Sequence, residues 1–195
     1  MKLSSAFYER ENVTHVARDL LGKVLLTKIN KKVTSGLIVE TEAYSYVEKG
    51  CHAYGSKKTI RNESMFQSGG VAYVYLCYGI HQMMNVVTNR KDLADAVLVR
   101  AIEPIQGMDL MLRRHKKGEL FRITSGPGKL TRALGIQRSH NGLSLSGQKI
   151  WIEDIGHVLK PSQIEVSTRI GIDYAGTDAK LPWRFAILGN DWISK

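Results

Sequence analysis

The segment Leu37-Ile-Val-Glu-Thr-Glu-Ala-Tyr44 constrains the fold more than any other part of this chain. Its apolar start predicts a buried strand, because leucine, isoleucine and valine favour a pleated, buried setting. Side chains alternate between the two faces of a strand, so Glu40, Glu42 and Tyr44 share one face. Two carboxylates beside a buried strand are costly without partners, which points to a functional carboxylate. A pair of solvated glutamates on an edge strand is the alternative.

Apolar periodicity divides the rest of the chain into short helices and strands. An amphipathic helix is predicted over residues 12–21, with Asn12 as its cap and Gly22 at its end. Further helices are predicted over 105–117 and from Ser125, and strands over 23–29, 33–42, 71–77, 80–87, 96–102 and, in short pieces, 149–194. The pattern shows no repeat and no linker, and it predicts one mixed α/β (α+β) domain over residues 1–195.

The net charge of +10 indicates a polyanionic partner, with nucleic acid as the leading class. Charge spread evenly for solubility is the alternative. Cys51 and Cys77 lack CxxC spacing, which is typical of reduced thiols, and Cys51-His52 has no further ligands at zinc spacing. The sequence has no signal peptide and no apolar run of about 18 residues, so we expect a soluble, cytoplasmic protein without membrane association.

Aromatic residues form a second candidate feature. The strand-like runs on either side of Tyr78-Gly79 predict a tight hairpin with Tyr78 near its tip. An aromatic side chain there can wedge between base steps of DNA, and a partly buried hairpin tyrosine is the alternative. Tyr44, Tyr75 and His52 are candidates for the walls of a pocket that holds an extruded base, since every base offers a π face. Ordinary cross-strand packing of the two tyrosines is equally compatible with the pattern.

The segment Ser125-Gly-Pro-Gly-Lys-Leu130 predicts a helix start whose free N–H groups, together with Lys129, can bind a phosphate. It is not a P-loop, because the first glycine and the Ser or Thr after the lysine are missing. A simple helix cap is the alternative. A candidate phosphate-binding face is built from several basic residues in loops and at helix ends, which are Lys57, Lys58, Arg61, Arg113, Arg114, Arg122, Lys129, Arg132 and Arg138. Such a face would make DNA affinity steeply salt-dependent, and a merely solvated basic surface is the other interpretation.

Several motifs in the same order and spacing extend from about residue 8 to 194. They are Val39-Glu-Thr-Glu-Ala-Tyr44, His52, Arg61-Asn62 with Met65-Phe66, Tyr73-Val-Tyr-Leu-Cys-Tyr-Gly79, Met84-Asn85, Leu98-Val-Arg-Ala-Ile-Glu-Pro104, Ser125-Gly-Pro-Gly-Lys-Leu130, Arg169-Ile-Gly-Ile and Ala175-Gly176. On these motifs the chain resembles the alkyladenine (3-methyladenine) DNA glycosylases of the mammalian type, in a compact bacterial form. The resemblance implies a single domain built on a curved antiparallel β-sheet flanked by helices.

The resemblance also implies catalytic roles for two residues. Glu42 is expected to be the general base that orients and deprotonates the attacking water, and Arg100 is expected to be a partner of that water. Glu40 shares the face of Glu42, where it could tune the pKa of Glu42 or act as a paired acid. A structural hydrogen bond or ion pair is the simpler expectation for Glu40.

The base pocket and the wedge follow from the same resemblance. Tyr44, His52 and Tyr75 are expected to wall the pocket, and the His52 backbone N–H is expected to donate to the flipped purine. Asn85 is expected to lie against the exocyclic edge of the purine and to disfavour normal guanine. Tyr78 is expected to intercalate into the duplex and fill the gap.

The implied function is a base-excision repair glycosylase that flips alkylated or deaminated purines out of double-stranded DNA. The candidate substrates are 3-methyladenine, 7-methylguanine, hypoxanthine and ethenoadenine, and hydrolysis of the N-glycosidic bond leaves an abasic site. The enzyme is expected to be monofunctional, monomeric and nucleoid-associated, and to use no metal or cofactor. The alternatives are a non-catalytic nucleic-acid-binding module on the same scaffold and a nucleoside hydrolase, which the +10 charge and the Tyr78 tip disfavour.

Overall fold

The computed structural model describes residues 1–115 and 122–194. The α-helices are α1 (Ser5–Tyr8), α2 (Val13–Leu20), α3 (Met108–Arg114) and α4 (Pro127–Leu134). The strands are β1 (Val24–Ile29), β2 (Lys32–Tyr44), β3 (Ala72–Cys77), β4 (His81–Thr88), β5 (Asp95–Gln106), β6 (Ile150–Glu153), β7 (Ile164–Ser167) and β8 (Arg184–Ile187). Short 3-10 segments cover Tyr54–Ser56, Glu63–Phe66, Arg138–His140, Pro161–Gln163 and Asp173–Lys180.

The strands form one eight-stranded sheet with the order β3-β4-β5-β2-β1-β6, in which β8 pairs with β2 and β7 pairs with β8. Each of these pairings is antiparallel. Helix α2 packs against β2, and α4 packs against β4 and β5. The predicted fold class, a mixed α/β structure with an antiparallel sheet and flanking helices, is confirmed.

Strand β2 is the centre of the sheet and carries the candidate carboxylates. Its first half pairs with β1 and its second half with β8, while β5 covers its other edge. Both edges are therefore hydrogen-bonded, and the strand is buried along most of its length. The edge-strand alternative for Glu40 and Glu42 is wrong, because each of them pairs with β5 on one side and β8 on the other.

A break in the β2–β5 register lies at the candidate catalytic residues. Glu40 pairs with Ala101 and Thr41 pairs with Val99, so Arg100 is an extra residue in β5. An extra residue of this kind bends a strand and re-aims its side chain. Here it brings the Arg100 side chain into contact with Glu40 and Glu42.

Two clusters of buried apolar side chains stabilise the fold. The larger cluster joins α2, α4 and the central strands, with Leu20, Ile38, Ile102 and Leu130 among its members. The smaller cluster lies under the loop that follows β2 and consists of Cys51, Ala53, Met65, Phe66, Tyr73, Val87, Ala94 and Ala96. Tyr44 and Tyr75 are partly buried against this smaller cluster, which positions their rings at the edge of the core.

Turn residues with positive φ close both tight hairpins. Asn30 (φ 50°) and Lys31 (φ 63°) join β1 to β2, and Tyr78 (φ 49°), Gly79 (φ 72°) and Ile80 join β3 to β4. Left-handed conformations of this kind match the twist of paired antiparallel strands. The predicted hairpin at Tyr78-Gly79 is therefore confirmed, and the side chain of Tyr78 is 87% exposed.

Helix boundaries differ from the prediction where strands continue. Helix α2 begins after Asn12, whose Oδ1 accepts hydrogen bonds from two backbone N–H groups, as predicted. The helix predicted over 105–117 is wrong at its start, because the strand β5 runs on to Gln106, which pairs with Ser35. Residues 116–117 of that prediction lie outside the described residues. Helix α4 begins at Pro127 with Gly126 as its cap, so Ser125 precedes the cap.

Candidate active site

A cavity of about 630 Å³ opens beside the smaller apolar cluster. Strands β3, β4 and β5 form its floor, and the loops after β2 and β7 and the start of α4 form its rim. Its lining consists of Tyr44, Gly50, His52, Arg61, Met65, Tyr73, Tyr75, Cys77, Tyr78, Met83, Asn85, Ala96, Leu98, Arg100, Pro127, Ile170, Gly171, Ile172 and Tyr174. A pocket of this size is typical of a small-ligand site.

Glu42 is completely buried and does not itself line the cavity, but three residues that do line it donate to its carboxylate. The backbone N–H of Ile170 donates to Oε1 over 2.8 Å, and the hydroxyl of Tyr44 donates to Oε2 over 2.8 Å. Arg100 Nη1 forms an ion pair with the same Oε2 at 3.2 Å. A carboxylate has about four acceptor sites, so Oε1 keeps one for a water or substrate group. These three donors compensate the burial of a carboxylate that would be very costly without partners.

Arg100 links the two carboxylates of β2. Its Nε donates to Glu40 Oε1 over 3.0 Å, and Nη2 donates to Ser194 Oγ over 3.2 Å. Burial alone would lower the pKa of Arg100, but the charges of Glu42 and then Glu40 outweigh it and raise that pKa. Arg100 also lines the cavity, so its positive charge is available to groups bound there.

Glu40 is bound by two arginines and by the C-terminal segment. Besides Arg100, it accepts hydrogen bonds from Arg184 Nε at 2.7 Å and from the backbone N–H of Ser194 at 2.7 Å. Its side chain is fully buried and, like that of Glu42, does not line the cavity, but Glu40 accepts no hydrogen bond from Tyr44 or Ile170 within the described residues. These contacts agree with the interpretation of Glu40 as an ion-pairing residue, and they attach the C-terminal segment to the sheet.

Aromatic rings wall the cavity. The rings of His52 and Tyr75 meet edge to face at 4.5 Å, and those of Tyr73 and Tyr75 lie 5.3 Å apart. His52 Nδ1 is 2.9 Å from the Tyr73 hydroxyl. Loss of hydration, and then the Arg61 cation, lower the pKa of His52 to about 4, so the imidazole is neutral at pH 7. Burial, and then the Glu42 charge, raise the pKa of Tyr44 well above its usual value, so its hydroxyl remains a donor.

Asn85 and Arg61 both line the cavity, Asn85 as a buried residue and Arg61 as an exposed one. Asn85 is buried on β4, and its Nδ2 donates to the Tyr73 carbonyl over 3.3 Å. Arg61 is exposed, and its guanidinium lies 5.4 Å from the centre of the Tyr75 ring. The Arg61 side chain therefore lies beside one of the aromatic rings that form the cavity wall.

Of the remaining predicted residues, only Tyr78 belongs to the cavity lining, whereas Lys57, Ser125 and Lys129 do not. Tyr78 lines the cavity from the hairpin tip. Lys57 and Lys129 are exposed, Lys57 in the loop after β2 and Lys129 in the first turn of α4. The hydroxyl of Ser125 is buried and has no hydrogen-bond partner in the described part of the chain.

The sequence analysis did not predict a buried ion pair that lies next to Tyr44 and Ile170 of the candidate active site. Arg169 and Glu48 are buried and form two parallel hydrogen bonds of 2.7 and 2.9 Å. The Arg169 guanidinium also lies 4.7 Å from the centre of the Tyr44 ring. Because Arg169 precedes Ile170, it positions the backbone N–H that donates to Glu42. The Arg169 motif was part of the resemblance, but the sequence carried no signal that it pairs with Glu48.

Residues 1–115 and 122–194 contain no cluster of three or more His, Cys, Asp and Glu side chains suited to a metal ion. The helices within these ranges are all too short or too polar to cross a membrane.

Comparisons with known proteins cover the whole chain. The sequence profile of the methylpurine-DNA glycosylase family matches residues 6–191. A protein of Clostridium perfringens (strain 13 / Type A) named "Putative 3-methyladenine DNA glycosylase" is 42% identical, over 100% of both chains. A protein of the same name from Chlamydia abortus is 44% identical, over 95% of this chain and 97% of its own. Another, from Chlamydia felis, is 43% identical, over 95% of both chains. This chain belongs to the methylpurine-DNA glycosylase family.

Proposed function

We propose that this protein is a DNA glycosylase of base-excision repair, which flips a damaged purine into the aromatic cavity and hydrolyses its N-glycosidic bond. The observation that carries the proposal is the fully buried Glu42 carboxylate, held by Tyr44, Arg100 and the Ile170 backbone next to a cavity of purine-compatible size. The names of the relatives, which refer to 3-methyladenine DNA glycosylase, support it independently.

Glu42 supplies the chemistry of this reaction. Its Oε1 accepts one hydrogen bond from Ile170 and has capacity for a water, which Glu42 orients and deprotonates. The same negative charge stabilises the oxocarbenium-like sugar that forms as the bond breaks. Three of the five N–H groups of Arg100 are used by Glu40, Glu42 and Ser194, which leaves N–H groups for that water.

The cavity walls and the hairpin tip account for base flipping. Extruding a base costs a few kcal/mol, least where pairing is already weak, so extrusion itself favours damaged bases. Stacking against Tyr44 and Tyr75 at roughly 1–3 kcal/mol per base offsets that cost. Tyr78, exposed at the rim, fills the space in the duplex that the base leaves.

The substrates are proposed to be alkylated and deaminated purines: 3-methyladenine, 7-methylguanine, hypoxanthine and ethenoadenine. The nucleosides of 3-methyladenine and 7-methylguanine are cationic, and a cation is attracted to the faces of tyrosine rings. Asn85 lies on the cavity wall, where its side chain contacts the edge of the purine and disfavours normal guanine.

The enzyme is proposed to act as a monomer, to need no metal, and to stop at the abasic site. A glycosylase that also cleaves the strand uses an amine nucleophile to form a Schiff base. Among the described residues, the cavity lining contains no lysine. Water is therefore the proposed nucleophile.

The test is release of free base from methylated duplex DNA in EDTA. We expect free methylated purines by chromatography, and strand breaks only after alkali treatment. Strand cleavage without alkali would contradict the monofunctional assignment. Salt-dependent DNA binding with no base release from methylated or hypoxanthine-containing DNA would favour the non-catalytic binding module.

A further inference from the structure

A cluster of two carboxylates and two guanidinium groups adjoins the candidate active site. Arg100 and Arg184 both donate through Nε to Glu40 Oε1, over 3.0 and 2.7 Å. Arg100 Nη1 also pairs with Glu42 Oε2 at 3.2 Å. Both carboxylate side chains are fully buried, and those of Arg100 and Arg184 are 8% and 16% exposed. Of these four residues, Arg100 alone lines the cavity, so the cluster can act on a bound group only through Arg100.

Ser194 brings a distant part of the chain into this cluster. Its backbone N–H donates to Glu40 Oε2 over 2.7 Å, and its hydroxyl donates to Glu40 Oε1 over 2.8 Å. The Oγ atom of Ser194 also accepts from Arg100 Nη2 over 3.2 Å, across a separation of 94 positions in the sequence. A hydroxyl has one hydrogen to donate and two lone pairs that accept. Because the hydrogen is directed to Glu40, the lone pairs of Ser194 are left to receive the N–H of Arg100.

Glu40 and Ser194 hold one edge of the Arg100 guanidinium. The N–H groups of this planar side chain project in a fixed fork, in which Nε binds Glu40 and Nη2 binds Ser194. Two contacts from different segments fix the plane of the group, whereas a single contact would allow it to turn. The fixed plane directs Nη1 towards Glu42. Catalytic rates depend steeply on such positioning, since a displacement of about 1 Å can lower a rate by about 100-fold.

The segment that carries Ser194 is itself anchored to the fold. Asn190 Nδ2 donates to Glu103 Oε2 over 2.8 Å, and Asn190 Oδ1 accepts from the backbone N–H of Trp192 over 2.9 Å. Trp192 is partly buried against the larger apolar cluster. Arg184 Nη2 also donates to the Ser194 carbonyl over 3.4 Å. The Ser194 hydroxyl is therefore held at a defined position beside the Arg100 guanidinium.

We propose that Ser194, acting together with Glu40, is a positioning residue for Arg100. The inference rests on the proposed function and deepens it, because Arg100 is the partner of the attacking water there and Ser194 acts only through Arg100. Ser194 and Glu40 do not line the cavity, so neither touches the substrate. Without the Ser194 hydroxyl, Arg100 Nη2 has no acceptor among the described residues, and the guanidinium can turn away from Glu42 and the water. Residues 190–194 thereby complete the candidate active site.

The test compares two serine variants. Ser194→Ala removes the hydroxyl beside Arg100 and keeps the backbone N–H that donates to Glu40. Ser167→Ala is the matched control, since Ser167 Oγ accepts from Nη1 of the second arginine, Arg184, over 3.3 Å and from no atom of Arg100 in the described part of the chain. The single-turnover rate of base excision and the affinity are measured on one methylated duplex. Urea unfolding measures the stability of both variants.

We expect Ser194→Ala to lower the single-turnover rate at saturating enzyme by at least about fivefold and at most about 100-fold, while the affinity for the duplex is unchanged. A loss of rate without a loss of affinity distinguishes positioning from a general loss of structure, which would weaken DNA binding as well. The Ser167→Ala control keeps the wild-type rate. A loss of less than about fivefold in Ser194→Ala, or an equal loss in the control, would overturn the proposal.

A double-mutant cycle tests whether Ser194 acts through Arg100. Arg100→Lys keeps a positive charge but lacks the planar fork of N–H groups that Ser194 and Glu40 hold. We expect slower excision by Arg100→Lys and no further loss when Ser194→Ala is added to it, because two residues that act through one contact are not additive. Fully additive losses would assign Ser194 a role independent of Arg100 and would also overturn the proposal. Failure of the proposed function would show separately, as absence of base release by the wild type.

Discussion

Removal of the Glu48 carboxylate is predicted to destabilise the protein strongly, because it leaves Arg169 buried without its counter-charge. Both side chains are nearly inaccessible to solvent, and the pair is held by two short hydrogen bonds. Glu48 Oε2 also accepts from the backbone N–H of Gly50 over 2.7 Å. After Glu48→Ala, Arg169 keeps only the carbonyls of Ala43 and Asp178 as hydrogen-bond acceptors within the described residues.

The magnitude follows from the loss of one partner in a buried ion pair, which costs about 3–5 kcal/mol. Glu48→Gln keeps one side-chain acceptor oxygen, so the expected loss for that variant is about 1.5–3 kcal/mol. For a urea m-value of about 2 kcal/mol/M, Glu48→Ala lowers the unfolding midpoint by about 2 M. We therefore predict that the free energy of unfolding decreases in the order wild type, Glu48→Gln, Glu48→Ala.

The assay is equilibrium unfolding in urea, with Glu165→Gln as the control because Glu165 is exposed on β7. We expect the control to lie within about 0.5 kcal/mol of the wild type. A Glu48→Ala variant that loses less than about 1 kcal/mol, which is typical of an exposed ion pair, would refute the reasoning.

Three further predictions concern the helix cap, the wedge and a histidine. Asn12→Ala removes a cap that accepts from two backbone N–H groups, and we expect a loss of about 1 kcal/mol in urea unfolding. Tyr78→Ala leaves stability unchanged, because the side chain is exposed, but lowers excision from duplex DNA by about 5- to 150-fold in single-turnover assays, the equivalent of one stacking interaction. The pKa of His52 is about 4 in the folded state and higher when unfolded, so the unfolded chain binds more protons between these values. Stability therefore falls as pH is lowered from about 6.5 to 4, and His52→Gln should reduce that pH dependence in unfolding experiments.

Short-range sequence patterns correctly predicted the elements whose ends depend only on neighbouring residues. Asn12 caps α2 in the sequence and in the structure, and the runs around Tyr78-Gly79 form the expected hairpin. The start of α3 was wrong because its first residues, Ile105 and Gln106, belong to β5. Their pairing with the distant β2 strand is a tertiary contact, which short-range periodicity does not record.

At the candidate site, too, short-range patterns were informative and contacts between distant segments were not predicted. The alternation in β2 indicated Glu42 and Tyr44 together, and the structure joins them through a hydrogen bond of 2.8 Å. The extra residue in β5 and the Arg169–Glu48 pair were outside the reach of sequence reasoning. Glu48 and Arg169 lie 121 positions apart in loops, where no periodic pattern signals burial.

The most direct test of the central claim is single-turnover base excision by Glu42→Gln, measured with duplex affinity on the same methylated oligonucleotide. The amide oxygen keeps an acceptor for Ile170, and Glu40 continues to pair with Arg100, so the variant should remain folded, with a stability loss of about 1.5–3 kcal/mol, and bind DNA as the wild type does. We predict unchanged affinity and an excision rate lower by at least about 100-fold, the range of a lost general base. An excision rate within about tenfold of the wild type would contradict the assignment of Glu42 as the catalytic carboxylate.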